Sequence, residues 1–297
     1  MPDFNFYYNY STINNNPRKL INILTSMHQI RTTNFEYCFC NCINLISISE
    51  NLFNNNTLIW NFSRCFFNCN KLILISNNLF KYNTLVTNFN FCFYRCYAII
   101  SIPEDLFKYN TLATLFQNCF ESLISLTSIP EDLFKYNILV TNFSYCFDNC
   151  YLLTSIPEDL FKYNTLVTDF AGCFSNCSSL TSIPASLFDN NTLVTGFNSC
   201  FQSCDNLTSI PNGLFDNNVN VINFSYCFSN CYLLTFIPED LFKYNTLVTD
   251  FAGCFLICRN LTSIPNGLFD NNVNVTSFAG CFEQCYNLIE IPERIIW

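Results

Sequence analysis

Cysteine is the residue type in this sequence that could do the widest range of chemistry, and its positions are strictly periodic. Of the 20 cysteines, ten recur at a fixed interval of 27 residues: Cys38, Cys65, Cys92, Cys119, Cys146, Cys173, Cys200, Cys227, Cys254 and Cys281. A second cysteine follows four residues after the first in nine of these units, and Leu123 holds that place in the fourth. Such pairs could form disulfides, bind a metal ion or pack as small buried residues.

The spacing and its one exception favour buried thiols. On a helix the C-x3-C spacing holds two Cα atoms about 6 Å apart, near the upper end of disulfide geometry. Zinc sites usually combine C-x2-C with a second pair or histidine, and the only histidine is His28. Leu123 can neither bridge nor ligate, but it can fill an apolar pocket. We predict reduced, buried thiol ladders, with some disulfides as the alternative, and no metal or cofactor. Cys40, outside the columns, is predicted to pack at the first unit.

A second candidate site consists of tyrosines that each follow a lysine. The pairs recur in four consecutive units and form what we call the Tyr–Lys stripe: Lys81 and Tyr82, Lys108 and Tyr109, Lys135 and Tyr136, Lys162 and Tyr163. Aromatic and cationic surfaces suit protein or glycan partners. The alternative, which the sequence favours, is a row of tyrosines that pack on one another and cover the turns. In later units the pair becomes Asp-Asn, as at Asp189 and Asn190.

Other chemistries find little support. One histidine, no Gly-rich phosphate loop and no G-x-S-x-G motif leave no catalytic set to assemble, so no enzyme and no catalytic residue are predicted. Repeated Glu-Asp pairs such as Glu158-Asp159 are predicted to be acids in the first turn of a helix. A net charge of −9 with 13 scattered Lys and Arg residues argues against a nucleic-acid partner.

The elements that would position these side chains follow from the period. A fixed 27-residue repeat is the signature of a stacked-repeat protein. Within one unit, Phe170, Cys173, Phe174 and Cys177 stand at i, i+3, i+4 and i+7, which predicts a helix of about two turns with these side chains inward. The preceding Asp169, and Asn, Gly or Ser in most other units, would cap its start.

Three further segments complete the predicted unit. Leu-Thr-Ser-Ile, which ends before a proline, predicts a short strand paired in parallel with neighbouring units. Pro157–Asn164 predicts a helix of one to two turns with a Glu158 to Lys162 pair on its surface. The asparagine that ends this segment in every unit is expected to adopt a left-handed backbone or to hydrogen-bond the turn. Thr-Leu-Val-Thr, as at Thr165–Thr168, is then predicted to run extended into the next helix.

One run resembles a known family. Val167–Pro184 reads V-T-x-F-x-x-C-F-x-x-C-x-x-L-x-x-I-P, which is similar to the V-T-x-I-G-x-x-A-F-x-x-C-x-x-L-x-x-I-x-I-P pattern of BspA-type leucine-rich repeats. The resemblance covers about Phe35 to Ile296. The unit here is longer through a P-x-x-L-F-x-x-N segment, and the strand lacks one alternating apolar position. The resemblance implies an α/β solenoid used for binding, often on a bacterial or protist surface, without catalytic residues.

The resulting fold prediction is an α/β, leucine-rich-repeat-like solenoid with short parallel strands and short helices in each 27-residue coil. Residues 1–34 are predicted to be an N-terminal segment that caps the array, with a short amphipathic helix over Leu20–Ile30. Residues 35–297 are predicted to be the ten-coil solenoid, and Ile291–Trp297 is expected to leave its last coil incomplete. No signal peptide and no membrane span are recognised.

The predicted function is a non-enzymatic binding module with an adhesin-like role that presents its repeat surface to a protein or glycan. The alternative is a structural scaffold that assembles end to end through its open coils. The missing signal peptide and the expected free thiols predict a cytoplasmic location, with the cell surface or non-classical secretion as the alternative.

Overall fold

Among the residues that the structure describes, regular secondary structure is confined to residues 17–48. The computed structural model describes residues 17–24, 26–27 and 32–290. It contains a 3-10 helix at Pro17–Lys19, strand β1 at Asn22–Ile23 and strand β2 at Ser47–Ile48, and the two strands pair in parallel. Strand β1 lies inside Leu20–Ile30, so the predicted cap helix is wrong at these residues. Residues 25 and 28–30 of that predicted helix, and the predicted incomplete end at residues 291–297, lie outside the described residues.

The described chain from residue 35 to residue 290 winds as stacked coils, which confirms the solenoid prediction. We number coil 1 as residues 35–61 and begin each later coil 27 residues further on. Parallel bridges join equivalent residues of neighbouring coils, from Asn34 with Asn61 through to Asp250 with Ser277. Because the partners are always 27 residues apart, every coil sits in register on the one before it. A column in the sequence is therefore a row in space.

The segment from phenylalanine to the second cysteine is a chain of tight turns, so the predicted helix is wrong. In coil 6 the Cys173 amide donates to the Phe170 carbonyl at 3.1 Å, and the Cys177 amide donates to the Phe174 carbonyl at 3.3 Å. These bonds reach back three residues, whereas an α-helix reaches back four. The residue before each cysteine of the two repeat columns has a left-handed backbone, as Asn176 does with φ 57°. All four side chains still point inward, because the turns reproduce the same spacing.

The alternate amides explain why turns replace a helix here. The Phe174 amide donates to the Cys200 carbonyl of the next coil at 2.9 Å, and the Asn176 amide donates to Gln202 at 2.6 Å. A helix would use these amides within its own turn and leave the next coil without a ladder. Since coils 1 to 9 all make the equivalent bonds, the turns themselves carry the stacking.

The predicted parallel strand is displaced by half a coil. The Leu-Thr-Ser-Ile segments are not strands beyond β2 in the described residues. The parallel bridges form instead at the residue before each Phe, where a helix cap was predicted. The capping chemistry at this residue does occur: Asp169 Oδ1 accepts the Ala171 amide at 2.8 Å, and Asn61 Oδ1 accepts the Ser63 amide at 2.8 Å. The side chain thus closes a turn after the bridge rather than starting a helix.

The proline segment is likewise a run of turns and not the predicted helix. The Lys162 amide donates to the Asp159 carbonyl at 3.1 Å, and the Asn164 amide donates to Phe161 at 3.0 Å. Asn164 does not have a left-handed backbone. Its Nδ2 atom donates to carbonyls of the preceding coil, Phe134 at 3.1 Å and Asn137 at 3.0 Å. The same pair of bonds recurs from Asn83 to Asn272, so the asparagines form a buried ladder.

Three phenylalanine columns fill the interior. Rings of one column stack between coils, as Phe161 on Phe188 with centroids 6.3 Å apart and planes 8° apart. Rings of different columns meet at steeper angles, as Phe161 and Phe170 at 4.7 Å and 54°. Such pairs contribute about 0.5–1.5 kcal/mol each beyond the area they bury. The invariant columns are therefore the core of the protein.

Candidate ligand-binding surface

The Tyr–Lys stripe occupies the corners of a turn whose two ends are buried. Phe161 and Asn164 close this turn and are fully buried, while Lys162 and Tyr163 between them point outward. The four tyrosines are 46, 41, 40 and 40% exposed from Tyr82 to Tyr163. Because the turn is pinned to the core at both ends, these side chains stand at fixed positions on consecutive coils.

Contacts between coils join the stripe into one surface. Lys81 Nζ lies 5.6 Å from the centre of the Tyr82 ring and 5.9 Å from that of Tyr109 in the next coil. Lys108 reaches Tyr136 at 5.8 Å in the same way, and the Lys135 to Tyr163 distance is 5.9 Å. The structure thus brings the eight predicted residues together as alternating ammonium groups and rings. Their role in binding stays a prediction.

Most of the stripe's positive charge is neutralised within its own coil. The pairs are Lys108–Asp105 at 3.3 Å, Lys135–Asp132 at 2.7 Å and Lys162–Asp159 at 2.8 Å. The predicted Glu158–Lys162 pair is therefore wrong, because Lys162 pairs with Asp159 instead. The turn brings together residues that are three positions apart, whereas a helix brings together residues that are four apart. Hydrogen bonds to these aspartates raise the pKa of each lysine. Exposed pairs of this kind contribute little to stability, because solvent screens their attraction.

Coil 2 differs in charge from the coils that follow it. Asn78 stands where coils 3 to 5 have the aspartate, so Lys81 has the two tyrosine rings as contacts and no acidic partner in the described residues. Coils 3 to 5 each carry a further exposed glutamate, such as Glu158. The stripe consequently begins with a surplus cation and continues with surplus acids.

A row of exposed leucines runs beside the tyrosines and was missed in the sequence. Val167 donates its amide to the Asn164 carbonyl at 3.3 Å, which closes a second turn with Leu166 at its corner. The equivalent leucines have exposed fractions between 37 and 44%: Leu85, Leu112, Leu139 and Leu166. The repeated Thr-Leu after the invariant asparagine was the available signal, but an extended segment was predicted there and hid the turn corner.

The stripe is interrupted after coil 5. Coils 6 and 7 carry Asp-Asn in place of Lys-Tyr, and Asn217 Nδ2 donates to Asp189 Oδ1 across them at 3.3 Å. Lys243 and Tyr244 then repeat the stripe motif in coil 8, with the ammonium 5.6 Å from the ring centre. This single pair, which was not included in the predicted stripe, has no lysine–tyrosine neighbour in the adjacent coils.

A different surface, formed by the Phe–Cys turns, carries the residues that vary most between coils. Arg64 lies over the rings of Phe91 at 4.5 Å and Tyr37 at 5.3 Å, and it pairs with Glu36 at 3.4 Å. These four residues belong to coils 1 to 3 and satisfy one another. The surface is thus a set of local contacts rather than a continued row.

Two carboxyl groups follow on the same surface in coils 4 and 5. Burial raises the pKa of Glu121 to about 7; the Asn118 amide and Arg95 oppose this rise, and Asp148 adds to it. Burial also raises the pKa of Asp148, whose carboxylate accepts bonds from Asn176 at 3.0 Å and from the adjacent asparagine. The described residues contain no group of three or more His, Cys, Asp or Glu suited to a metal ion.

The cysteines are free thiols that belong to the core. Nineteen of the 20 are buried, and Cys40 is half-buried. Thiols of the second column donate to a carbonyl of the preceding coil, as Cys177 Sγ does to Phe147 at 3.4 Å. Desolvation raises the pKa of Cys177 and of most other column thiols well above the usual value. Since the thiolate is the reactive form, these thiols are poor nucleophiles. The prediction that they pack as small buried residues is confirmed.

No helix within the described part of the chain is long and apolar enough to cross a membrane. The longest helical element there is the three-residue turn at Pro17–Lys19.

Similar solved structures are leucine-rich repeat proteins. The Toll–Spatzle complex of Drosophila matches at 19% identity over 87% of this chain, with a TM-score of 0.37. A leucine-rich cell surface protein of Faecalibacterium prausnitzii matches at 18% over 86%, with a TM-score of 0.36. A Leptospira interrogans leucine-rich repeat protein matches at 13% over 96%, with a TM-score of 0.47.

This chain spans 29% of the length of the matched chain in the Toll–Spatzle complex, 75% of the Faecalibacterium protein and 62% of the Leptospira protein. No family model matches the chain, and no curated protein sequence matches it. The solenoid architecture stands on the hydrogen bonds and ring stacks between the coils.

Proposed function

We propose that this protein is a non-enzymatic binding module, a variant of the BspA-type leucine-rich repeat with an adhesin-like role. It presents the Tyr–Lys stripe to a protein or glycan partner. The observation that carries the proposal is the continuity of the stripe, in which each lysine contacts the tyrosine of the next coil from Lys81 to Tyr163. The same proposal includes the 27-residue period and the organisation of the chain as a terminal segment followed by ten coils.

The chemistry of tyrosine supports a contact role. Its ring offers a large apolar area and its hydroxyl a hydrogen-bond partner, and it loses little conformational entropy on binding. Here the ring positions are set by a turn whose flanking residues, Phe161 and Asn164, are fully buried. A partner would therefore meet a preorganised row, which lowers the cost of association.

The non-enzymatic part of the proposal rests on the state of the reactive groups. Thiols such as Cys177 are fully buried with a raised pKa, and Glu121 and Asp148 are held by amide donors. Nucleophilic catalysis needs an accessible nucleophile beside a general base. Buried free thiols also fit a reducing compartment, and we propose a cytoplasmic location with the cell surface as the alternative.

The second candidate function is a scaffold that stacks end to end. Its support is the repeated ladder between coils, which a further coil of the same kind can extend. Each coil donates its ladder amides to the next, as Phe255 does to Cys281 at 2.9 Å. A second copy that continued this ladder would bury the same column of rings.

The stripe is tested with a glycan array and a library of purified proteins. Ligands that bind the folded protein are measured again with Tyr109→Ser/Tyr136→Ser, which removes two rings from the centre of the stripe. We expect affinity to fall by a factor of about 10 or more, since tyrosines that become buried in an interface are frequent hot spots. Tyr244→Ser, in the isolated coil 8, is the matched control and should keep wild-type affinity. Equal binding by the double variant and the wild type would rule the stripe out as the contact surface.

A further inference from the structure

We propose that the partner of this surface is a second copy of the chain, packed side by side and antiparallel about a two-fold axis. The contact is what we call the Tyr–Leu edge: Tyr82, Tyr109, Tyr136, Tyr163, Leu85, Leu112, Leu139 and Leu166. This inference rests on the proposed binding role of the stripe and names its partner. It differs from end-to-end stacking because the coils of the two copies lie beside each other.

The exposed area of the edge is close to what a stable dimer needs. Its eight side chains stand at consecutive turn corners and are 37–46% exposed. With about 150–250 Å² per large side chain, they present on the order of 700 Å² of surface. Specific interfaces bury about 800 Å² per partner. Leu58 and Leu193 extend the leucine row by one coil at each end and supply the remainder.

The edge also ends symmetrically, as an isologous contact requires. Coil 1 has Asn54-Asn55 and coil 6 has Asp189-Asn190 where the four coils between them have Lys-Tyr. A two-fold axis between coils 3 and 4 therefore pairs coil 2 with coil 5 of the partner and coil 3 with its coil 4. Both ends of the tyrosine row then finish against polar residues at the same distance from the axis.

The repeat period favours a copy of the same chain over an unrelated surface. Equivalent rings of the core column containing Phe66 and Phe93 lie 5.4–5.8 Å apart in successive coils, so the outer rows repeat at a similar interval. A second copy has this interval by construction. Its coils can therefore meet the coils of the first copy one for one along all four coils, which gives the close packing that specific interfaces have.

Charge selects the antiparallel orientation. Lysines of coils 3 to 5 are paired with aspartates of their own coil, so the edge does not demand a charged partner. Lys81 in coil 2 has no acidic partner in the described residues, and coil 5 carries the exposed Glu158. The proposed two-fold axis sets coil 2, which carries Lys81, against coil 5 of the second copy, which carries Glu158, and this pairing occurs twice per dimer. A parallel side-by-side arrangement would instead set coil 2 against coil 2.

Sedimentation velocity of the full chain over a range of concentrations tests the proposal. We expect a dimer that Tyr109→Ser/Tyr136→Ser weakens by a factor of about 100 or more, while Tyr244→Ser dimerises as the wild type does. Thermal melts of the dissociated proteins, at low concentration, check that the double variant keeps its fold. Both substituted positions are exposed, so we expect the double variant to keep its fold.

A charge exchange provides a readout that is independent of folding. Lys81→Glu should weaken the dimer about tenfold, because it places like charges together at the interface, and adding Glu158→Lys in the same chain should restore it. A wild-type protein that stays monomeric at every concentration, or a dimer that neither change affects, overturns the self-association. If that monomer still binds a ligand through Tyr109 and Tyr136, the proposed function stands without it.

Discussion

The four residues from Phe161 to Asn164 combine two invariant positions with two positions that change between coils. Phe161 and Asn164, at the two ends, are fully buried and keep the same identity from coil 1 to coil 9. Lys162 and Tyr163, in the middle, are exposed and are replaced by Asp-Asn one coil later. The turn keeps its shape because its two ends are held by stacking on neighbouring coils. Its corner is consequently free to vary, and a constant interior can carry a changing surface.

The largest expected effect is at the ring that begins this turn. Phe161→Ala removes ring contacts with Phe134, Phe170 and Phe188 at 6.3, 4.7 and 6.3 Å. Large-to-small changes of this kind in a packed core cost about 3–5 kcal/mol of unfolding free energy. Urea unfolding followed by circular dichroism measures the loss. Tyr163→Ala, two residues away and exposed, should cost less than about 1 kcal/mol. Similar losses for both variants would contradict the division into interior and edge.

The next effect is at the asparagine that ends the turn. Asn164→Asp replaces a buried donor with an acceptor that faces the carbonyls of Phe134 and Asn137, now 3.1 and 3.0 Å away. Leaving two buried acceptors unpaired beside a buried carboxyl costs about 2–4 kcal/mol. The same denaturation measured at low pH should recover part of the loss, because the protonated carboxyl can donate.

The matched control for this change is at the turn corner of coil 6. Asn190→Asp makes the same substitution at an exposed position, where surface changes usually stay within about 0.5 kcal/mol. A loss at Asn190 as large as that at Asn164 would show that backbone geometry, and not the buried ladder, makes the asparagine necessary.

The smallest expected effect is a pH dependence on the variable turn surface. The folded chain holds the Glu121 proton up to about pH 7, whereas the usual pKa is 4.5. The folded state binds more protons across this interval, so its stability falls as pH rises from about 4.5 to about 7. The carboxyl is partly screened by solvent, so the fall is about 1–2 kcal/mol. Urea unfolding at both ends of the interval measures it.

Glu121→Gln should remove this slope and leave the stability of the variant higher than that of the wild type at neutral pH. Glu131→Gln, at an exposed position of the same coil, is the control and should keep the wild-type slope. An unchanged slope in Glu121→Gln would mean that other groups, such as Asp148, produce the dependence.

Coil 4 shows how well the sequence indicated the core and how poorly it indicated the backbone. Leu123 takes the place of the second cysteine, and it is fully buried as the thiols of other coils are. This exchange of cysteine for leucine was by itself enough to indicate an apolar pocket. The helix that was expected around it is absent because left-handed residues, here Asn118 and Ser122 with φ 55° and 62°, fold the chain into turns. A spacing of three and four residues fits both a helix and this chain of turns, so it does not distinguish the two backbones.

The candidate stripe shows the same limit. The 27-residue period was enough to place the lysines and tyrosines on one surface. The acid that pairs with each lysine was misassigned, because Glu158 would face Lys162 on a helix while the turn presents Asp159. The neighbouring leucine row was missed for the same reason, since an extended segment would not place Leu166 at a corner.

The sequence alone determined the register of the coils and the residues that face inward, because a fixed period and an apolar column are properties of the chain. The tertiary structure decided the path of the backbone. A backbone amide of a given residue can bond to its own coil or to the next one, and local propensity does not choose between them. In this protein, stacking places a carbonyl of the next coil within hydrogen-bond distance of every second amide, as the Cys200 carbonyl lies by the Phe174 amide. The chain adopted turns that use both partners.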